Sequence, residues 1–129
     1  MSIITLTTDF GHKDYFVSVI KASIYKEIPN AVVIDISNSV SPFNHSEAAY
    51  IIKNAYNAFP KKTIHIIGVD SEFSPENKHL LMNFDDHYFI GANNGIFSLL
   101  LEGRKYDKLV EINIHDATVS SFPVLDIFV

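Results

Sequence analysis

Ile3-Ile4-Thr5-Leu6-Thr7-Thr8-Asp9-Phe10-Gly11-His12-Lys13-Asp14-Tyr15 begins as a short apolar, β-branched run and breaks off into a polar turn. The run predicts a strand from Ile3 to Thr7 that is covered on both faces. Asp14 stands where an N-cap belongs, ahead of a helix reaching about Glu27. Val17, Ile20, Ile24 and Ile28 recur at helical spacing and form its buried stripe. Strand, polar turn and helix make the unit that carries functional groups to the carboxyl edge of an open sheet. Two carboxylates, Asp9 and Asp14, flank Gly11 in that turn.

The same grammar continues outward. Pro29-Asn30 ends the first helix, and Ala31 to Ile36 reads as a second buried strand. Ser37 to Asn44 is a polar loop. Asn44 and Glu47 then have capping-box spacing, and Ala48, Ile51, Ile52, Ala55 and Phe59 continue as a helical stripe that Pro60 stops. Thr63 to Val69 is a third strand, ending at Asp70. Strands alternating with helices predict right-handed crossovers and a parallel sheet. Beyond Asp70 the pattern changes. Leu80 to Phe84 and Tyr88 to Gly91 form a hairpin around Asp85-Asp86-His87, Asn93-Asn94-Gly95 turns into a short helix near Ile96 to Leu101, and Leu109 to Ile114 is a further strand. The expected fold is therefore α/β: a three-layer, mainly parallel sheet with flanking helices and a late hairpin.

Composition narrows the classes of function. A chain of 129 residues, 47% apolar and 19% charged, is one domain with a sizeable core and no disordered tract. The absence of cysteine excludes a thiol nucleophile and a Cys-ligated metal. A net charge of -5 argues against a nucleic-acid partner and suits a small cationic ligand. No apolar run is long enough for a membrane span and no signal peptide is evident, so the cytoplasm is the expected location. The apolar ending Asp126-Ile127-Phe128-Val129 suggests a fragment or truncated form of a longer protein.

Asp9 and Asp70 follow the first and third strands and so share one sheet edge, where ligands bind. There they suit ribose hydroxyls, a water or a cation; as loop or cap aspartates they would be purely structural. The five glycines form neither a dinucleotide nor a triphosphate loop, and no serine lies in a nucleophile elbow. Asp9, His12 and Asp14 have only unspecific metal spacing, so no metal site is assigned. His65, inside an apolar strand, reads as a core histidine. Phe43 reads first as a hydrophobic staple and second as an aromatic wall beside a ligand.

Co-linear segments over most of the chain resemble the N-terminal domain of the S-adenosylmethionine hydroxide adenosyltransferases, the family that includes the fluorinase and chlorinase. The resemblance runs from Thr5-Leu6-Thr7-Thr8-Asp9-Phe10-Gly11, with Asp14, Val17 and Lys21, through Val33-Ile34-Asp35-Ile36-Ser37 and Val40-Ser41-Pro42-Phe43. It continues through Glu47-Ala48-Ala49-Tyr50, Ala58-Phe59-Pro60, Ile64-His65-Ile66, Val69-Asp70 and Ala92-Asn93-Asn94-Gly95. It implies a small-molecule adenosyl ligand, with S-adenosylmethionine as substrate and no cofactor, bound between subunits of a homotrimer and against a C-terminal β domain that this chain lacks. By matched position Asp9 holds the ribose hydroxyls, Asp14 the methionine end, and Phe43 lines the adenosyl pocket. Ser71, Phe73 and Asn94 complete the substrate-binding positions, and Asp70 orients or deprotonates the attacking water.

Two departures bear on the chemistry. Where the family's hydroxide-forming members use an Asp-Arg-His set, this chain has Asp70, Asn77 and Pro123, with Lys78 and His79 as candidate substitutes. Phe73 replaces the small polar residue that a halide pocket needs. The resemblance thus implies an S-adenosylmethionine hydrolase forming adenosine, or else a diverged, non-catalytic adenosyl-binding or structural domain.

Overall fold

The computed structural model describes residues 2–70 and 78–112. Its elements are β1 (Ile3–Thr8), α1 (Phe16–Glu27), β2 (Val32–Ser37), α2 (His45–Ala55), β3 (Ile64–Gly68), β4 (His79–Phe84), β5 (His87–Ala92), α3 (Ile96–Leu101) and β6 (Lys108–Ile112). A 3₁₀ turn, Tyr56–Ala58, extends α2. The strands form one sheet in the order β2-β1-β3-β5-β4-β6. β1 is parallel to β2 and β3, and β3 to β5, while β4 runs antiparallel to both β5 and β6. The α/β expectation holds, with a mixed sheet whose parallel part carries the crossovers.

Alternation along β3 feeds two cores, Ile66 one and Ile67 the other, because successive side chains leave a strand on opposite faces. Ile4 and Leu6 join Ile66 under the predicted α1 stripe of Val17, Ile20 and Ile24, with Ile28 partly buried beside them. On the other face, α2 and α3 bring Ala48, Ile52, Ile96, Phe97 and Leu100 onto Ile67, Met82, Phe84 and Phe89. Helices on both faces give the three layers expected.

Two local expectations are corrected. β2 is not covered on both faces: it is the edge strand, and Val32 and Ile34 each remain 36% exposed. Helix α1 covers the face bearing Val33 and Asp35, while neither core recruits Val32 or Ile34. The hairpin turn is also shorter than expected. Asp85 and Asp86 alone form it, both with φ positive (52° and 62°), as a two-residue turn matched to strand twist requires. His87 belongs to β5, opposite Phe84.

That shift places His87 in the core, fully buried beside His65, which is 1% exposed and is indeed a core histidine. His65 Nδ1 is 2.7 Å from Thr5 Oγ1, and its Nε2 is 3.1 Å from His87 Nδ1. Phe89 stacks on the His65 ring at 5.0 Å, and Tyr56 and Phe59 meet it edge-on. Among the described residues His87 Nε2 has no hydrogen-bond partner. An orphaned acceptor costs less than an orphaned N–H. We therefore assign the tautomers in which His87 Nδ1–H donates to His65 and His65 Nδ1–H donates to Thr5.

Both rings are thereby kept neutral. Burial, and then the adjacent His87, push His65 down to about 4. Burial, and then the charge of Lys61, lower His87, with Asp85 and Asp86 opposing. The folded value lies below the unfolded one of about 6.5, so the unfolded state takes up the proton first as pH falls. For His65 this removes about 2 kcal/mol of stability between pH 7 and pH 5. The carboxylates act lower: Asp85, held down first by the Tyr56 hydroxyl, and Asp86, held down first by Lys62, lose their contributions only below 3.8. Urea unfolding at pH 7 and pH 5 should show this loss, and His65→Gln should flatten it. An equal pH dependence in both proteins would contradict the assignment.

Candidate functional site

β1 lies between β2 and β3, and the two crossovers pass over opposite faces of the sheet. The connection through α1 runs to β2 over one face, and the connection through α2 returns to β3 on the other side of β1. In an open α/β sheet ligands bind in the crevice at this carboxyl edge, beside the point where the strand order reverses. Asp9 and Asp70 stand directly after these strands. Thr8 lies opposite Gly68, and Asp9 N–H donates to the Gly68 carbonyl at 3.4 Å. Gly68 is needed for this close approach: a Cβ there would meet Thr8 Cγ2 at 3.0 Å and the Phe10 ring at 3.2 Å.

Asp9 holds the neighbouring loop. Its Oδ2 accepts from the Phe43 N–H at 3.2 Å, fixing Phe43 in a left-handed conformation with φ 59°. The Phe43 ring is left 67% exposed. It is therefore not a hydrophobic staple, because a staple must pack on the first turns of the following helix. Behind Asp9, Thr8 Oγ1 donates to Asn38 Oδ1 at 2.8 Å, and Gly11 N–H donates to the Asn38 carbonyl at 2.7 Å. Gly11 makes that bond with φ 76°, where a side chain would be strained.

Asp14 does not cap α1. Tyr15 takes the N-cap position without a side-chain hydrogen bond, and Asp14 Oδ1 instead accepts from the Tyr15 N–H at 2.8 Å. The chain enters the helix one residue later than the sequence suggests, which leaves the Asp14 carboxylate exposed. The capping box at α2 is realised by half. Asn44 Oδ1 accepts from Glu47 N–H at 3.0 Å, but Glu47 Oε1 turns to Ser41 N–H rather than to Asn44.

Asp70 is held from two sides. Its backbone is left-handed, φ 48°. Asn94 Nδ2 spends its two hydrogens on the Val69 carbonyl at 2.9 Å and the Asp70 carbonyl at 3.0 Å, and Asn94 Oδ1 accepts from Ile96 N–H. The Asp70 carboxylate meets His45 Nε2 at 2.9 Å. His45, the first residue of α2, is a site residue that sequence reasoning missed. The available signal was topological: a helix that follows a parallel strand begins at the edge where that strand ends.

Two hydrogen-bonded groups thus stand at this edge, Asp9 with Phe43, and Asp70 with His45 and Asn94, and Asp14 belongs to neither. Lys78 lies along the same edge, its carbonyl accepting from Asn93 N–H at 2.7 Å, but its Nζ is 3.1 Å from Glu111 on β6. His79 is fully buried at the start of β4, sharing its sheet face with Leu81. Ser71, Phe73, Asn77 and Pro123 lie outside the described residues. Lys21, one of the resemblance-bearing positions, pairs with Asp35 at 2.8 Å. Burial would raise the Asp35 carboxyl, but its bonds to Lys21 and Asn38 and the charges of Lys21 and His12 outweigh this and hold it below its ordinary value. Among the described residues no group of three or more His, Cys, Asp or Glu side chains is placed to hold a metal ion, and no helix is long and apolar enough to cross a membrane.

Comparison with known proteins matches this geometry to a family. A protein of Methanocaldococcus jannaschii named (R)-S-adenosyl-L-methionine hydrolase is 31% identical over 118 residues, covering 88% of this chain and 44% of its own. A Thermus thermophilus protein of the same name is 26% identical over 92 residues, 71% of this chain and 36% of its own. The chain therefore spans less than half the length of these relatives. The crystal structure of an uncharacterized conserved protein from Thermotoga maritima superposes with a TM-score of 0.84 at 28% identity, covering 97% of this chain and 52% of that one. Residues 4–129 match the family model described as the SAM hydroxide adenosyltransferase N-terminal domain. With nearly the whole chain matched, this protein belongs to the S-adenosylmethionine hydroxide adenosyltransferase family, through its N-terminal domain.

Proposed function

We propose that the chain supplies the adenosyl-binding half of an S-adenosylmethionine hydrolase, which splits its substrate into adenosine and methionine. The observation that carries this reading is that Asp9 and Asp70 directly follow β1 and β3, which pair in parallel beside the switch point of the sheet. In the proposed reaction the water oxygen attacks the ribose C5′ in line with the C5′–S bond. That bond breaks with its electron pair going to sulfur, methionine leaves as a neutral thioether, and the water proton is released. The sulfonium is already a good leaving group, so the protein's task is alignment and exclusion of bulk water.

Asp9 commits one oxygen to Phe43 N–H and keeps the other for the ribose hydroxyls. The exposed Phe43 ring stands beside it as a wall for the adenine, whose aromatic stacking is worth about 0.5–1.5 kcal/mol beyond area burial. Asp14 offers an exposed carboxylate to the substrate's ammonium group, and Asp70 orients the water. Ser71, Phe73 and Asn77 belong to the same reading by matched position, with Lys78 as a substitute cation that would have to leave Glu111. Assembly as a homotrimer, a neighbouring subunit completing each pocket and a cytoplasmic location are further parts of the proposal. A non-catalytic adenosyl-binding domain is the second reading, favoured by Asn77 and Pro123, neither of which has a titratable group.

Calorimetry with S-adenosylmethionine and with adenosine on the complete polypeptide, followed by chromatography of the products, separates these readings. Hydrolysis gives adenosine and methionine in equal amounts, whereas binding without products selects the second. Failure to bind either ligand rejects both. The isolated 129-residue chain should form no adenosine, since half of each proposed pocket comes from elsewhere; product from that chain alone would refute the shared site.

Binding and chemistry should also separate by residue. Asp9→Ala should weaken S-adenosylmethionine binding by about 10- to 150-fold, the loss of a charged hydrogen-bonding group of about 1.5–3 kcal/mol. Asp70→Asn should leave binding within about threefold while lowering turnover by about 100-fold. Equal effects of both changes on affinity would argue against the division of roles.

A further inference from the structure

Resting on the hydrolase reading, we propose that His45 is the general base of the reaction, taking the proton from the attacking water while Asp70 holds its ring. Nε2–H of His45 donates to Asp70 Oδ2 at 2.9 Å, which leaves the lone pair on Nδ1. Among the described residues Nδ1 has no hydrogen-bond partner. A carboxylate on one imidazole nitrogen and a free lone pair on the other is the arrangement in which a histidine accepts a proton and the carboxylate stabilises the cation formed.

The bond is not needed to place either partner. The start of α2 is already capped by Asn44, whose side chain accepts from Glu47 N–H, and the Asn44 N–H is held by the Ser41 carbonyl. Asp70 is already fixed in its left-handed conformation by the two donations from Asn94. Nor does the pair serve stability well. The two side chains are 32% and 26% exposed, and ion pairs open to solvent contribute about 0–1 kcal/mol. The same partial exposure admits a water to the ring. The other buried or neighbouring histidines lack this combination: His65 and His87 are spent on each other and on Thr5, and His79 is buried on the sheet face opposite α2.

The step balances without a further reactant. The water oxygen bonds to C5′ as the C5′–S bond breaks, the C–S electron pair stays on methionine sulfur, and the water proton passes to His45 Nδ1. The imidazolium, paired with the Asp70 carboxylate, then returns the proton to solvent.

The test uses the complete polypeptide and three forms: wild type, His45→Gln and His45→Ala. Glutamine places an amide nitrogen near the position of Nε2, so it keeps the bond to Asp70 and removes only the base. His45→Gln should bind S-adenosylmethionine within about threefold of wild type and form adenosine about 10²- to 10⁴-fold more slowly. Added imidazole should raise the rate of His45→Ala by about tenfold or more, which a purely structural role would not allow. Turnover of His45→Gln within about threefold of wild type overturns this inference and leaves the hydrolase reading intact. A slow His45→Ala that imidazole does not restore also overturns it. Loss of the folded circular-dichroism signal in both variants makes the bond structural and overturns it likewise. Wild type that binds the substrate but yields no adenosine removes hydrolysis and this base together, leaving adenosyl binding.

Discussion

The crevice exists because β1 is hydrogen-bonded in parallel on both sides, to β2 and to β3. Parallel neighbours cannot be joined by a tight turn; each needs a crossover that returns the chain to the starting edge of the sheet. When the first crossover goes to one side and the second to the other, the helices cover opposite faces of the sheet. The side chains of β1 alternate accordingly, Ile4 and Leu6 entering the α1 core while Thr5 faces His65 on the other side. The buried threonines follow from this position. A central strand can carry hydroxyls only where each finds a partner, as Thr5 does at His65 and Thr8 at Asn38.

The same edge carries backbone strain. Phe43 and Asp70 both adopt left-handed conformations that non-glycine residues rarely visit, at about 1–3 kcal/mol each. Each is held by an asparagine or aspartate from a different element: Phe43 by Asp9, Asp70 by Asn94. These bonds therefore do two things at once. They hold the strained backbone in place, and they fix the direction in which two carboxylates and one exposed ring face the crevice. A loop free to relax would lose both, so a site made of strained residues needs hydrogen-bonding partners on neighbouring elements.

Much of this was legible in the sequence, and the failures have physical causes. Asp9 and Asp70 could be placed at one edge because strand and helix periodicities fix topology, and topology fixes which loops meet. Periodicity could not reveal that β2 is an edge strand, since Val32 and Ile34 read as buried whether or not a neighbour covers them. The caps failed locally, Asp14 by one residue and Glu47 by three. Asp14 and Glu47 each have several N–H groups within reach, and spacing does not choose between them. Phe43 looked like a staple because sequence gives its place before α2 but not its positive φ. His45 was missed for the opposite reason: its role depends on a partner 25 residues away, and only the crossover brings the start of α2 to the end of β3.

The histidines show how environment, rather than residue type, divides labour within one sheet. His65 and His87 lie at the hairpin end of β3 and β5, fully enclosed, and burial denies them the charged form. Such a pair couples stability to pH but has no access to a substrate proton. His45 lies at the opposite edge, partly open to solvent, with a carboxylate rather than a second imidazole on its Nε2. In the proposed reaction such a carboxylate would stabilise the imidazolium as it forms, and solvent would take the proton away. The two settings are mutually exclusive for one side chain: enclosure that keeps a ring neutral also withholds it from water. A histidine proposed to move a proton at this crevice must therefore lie at its open edge, where His45 meets Asp70.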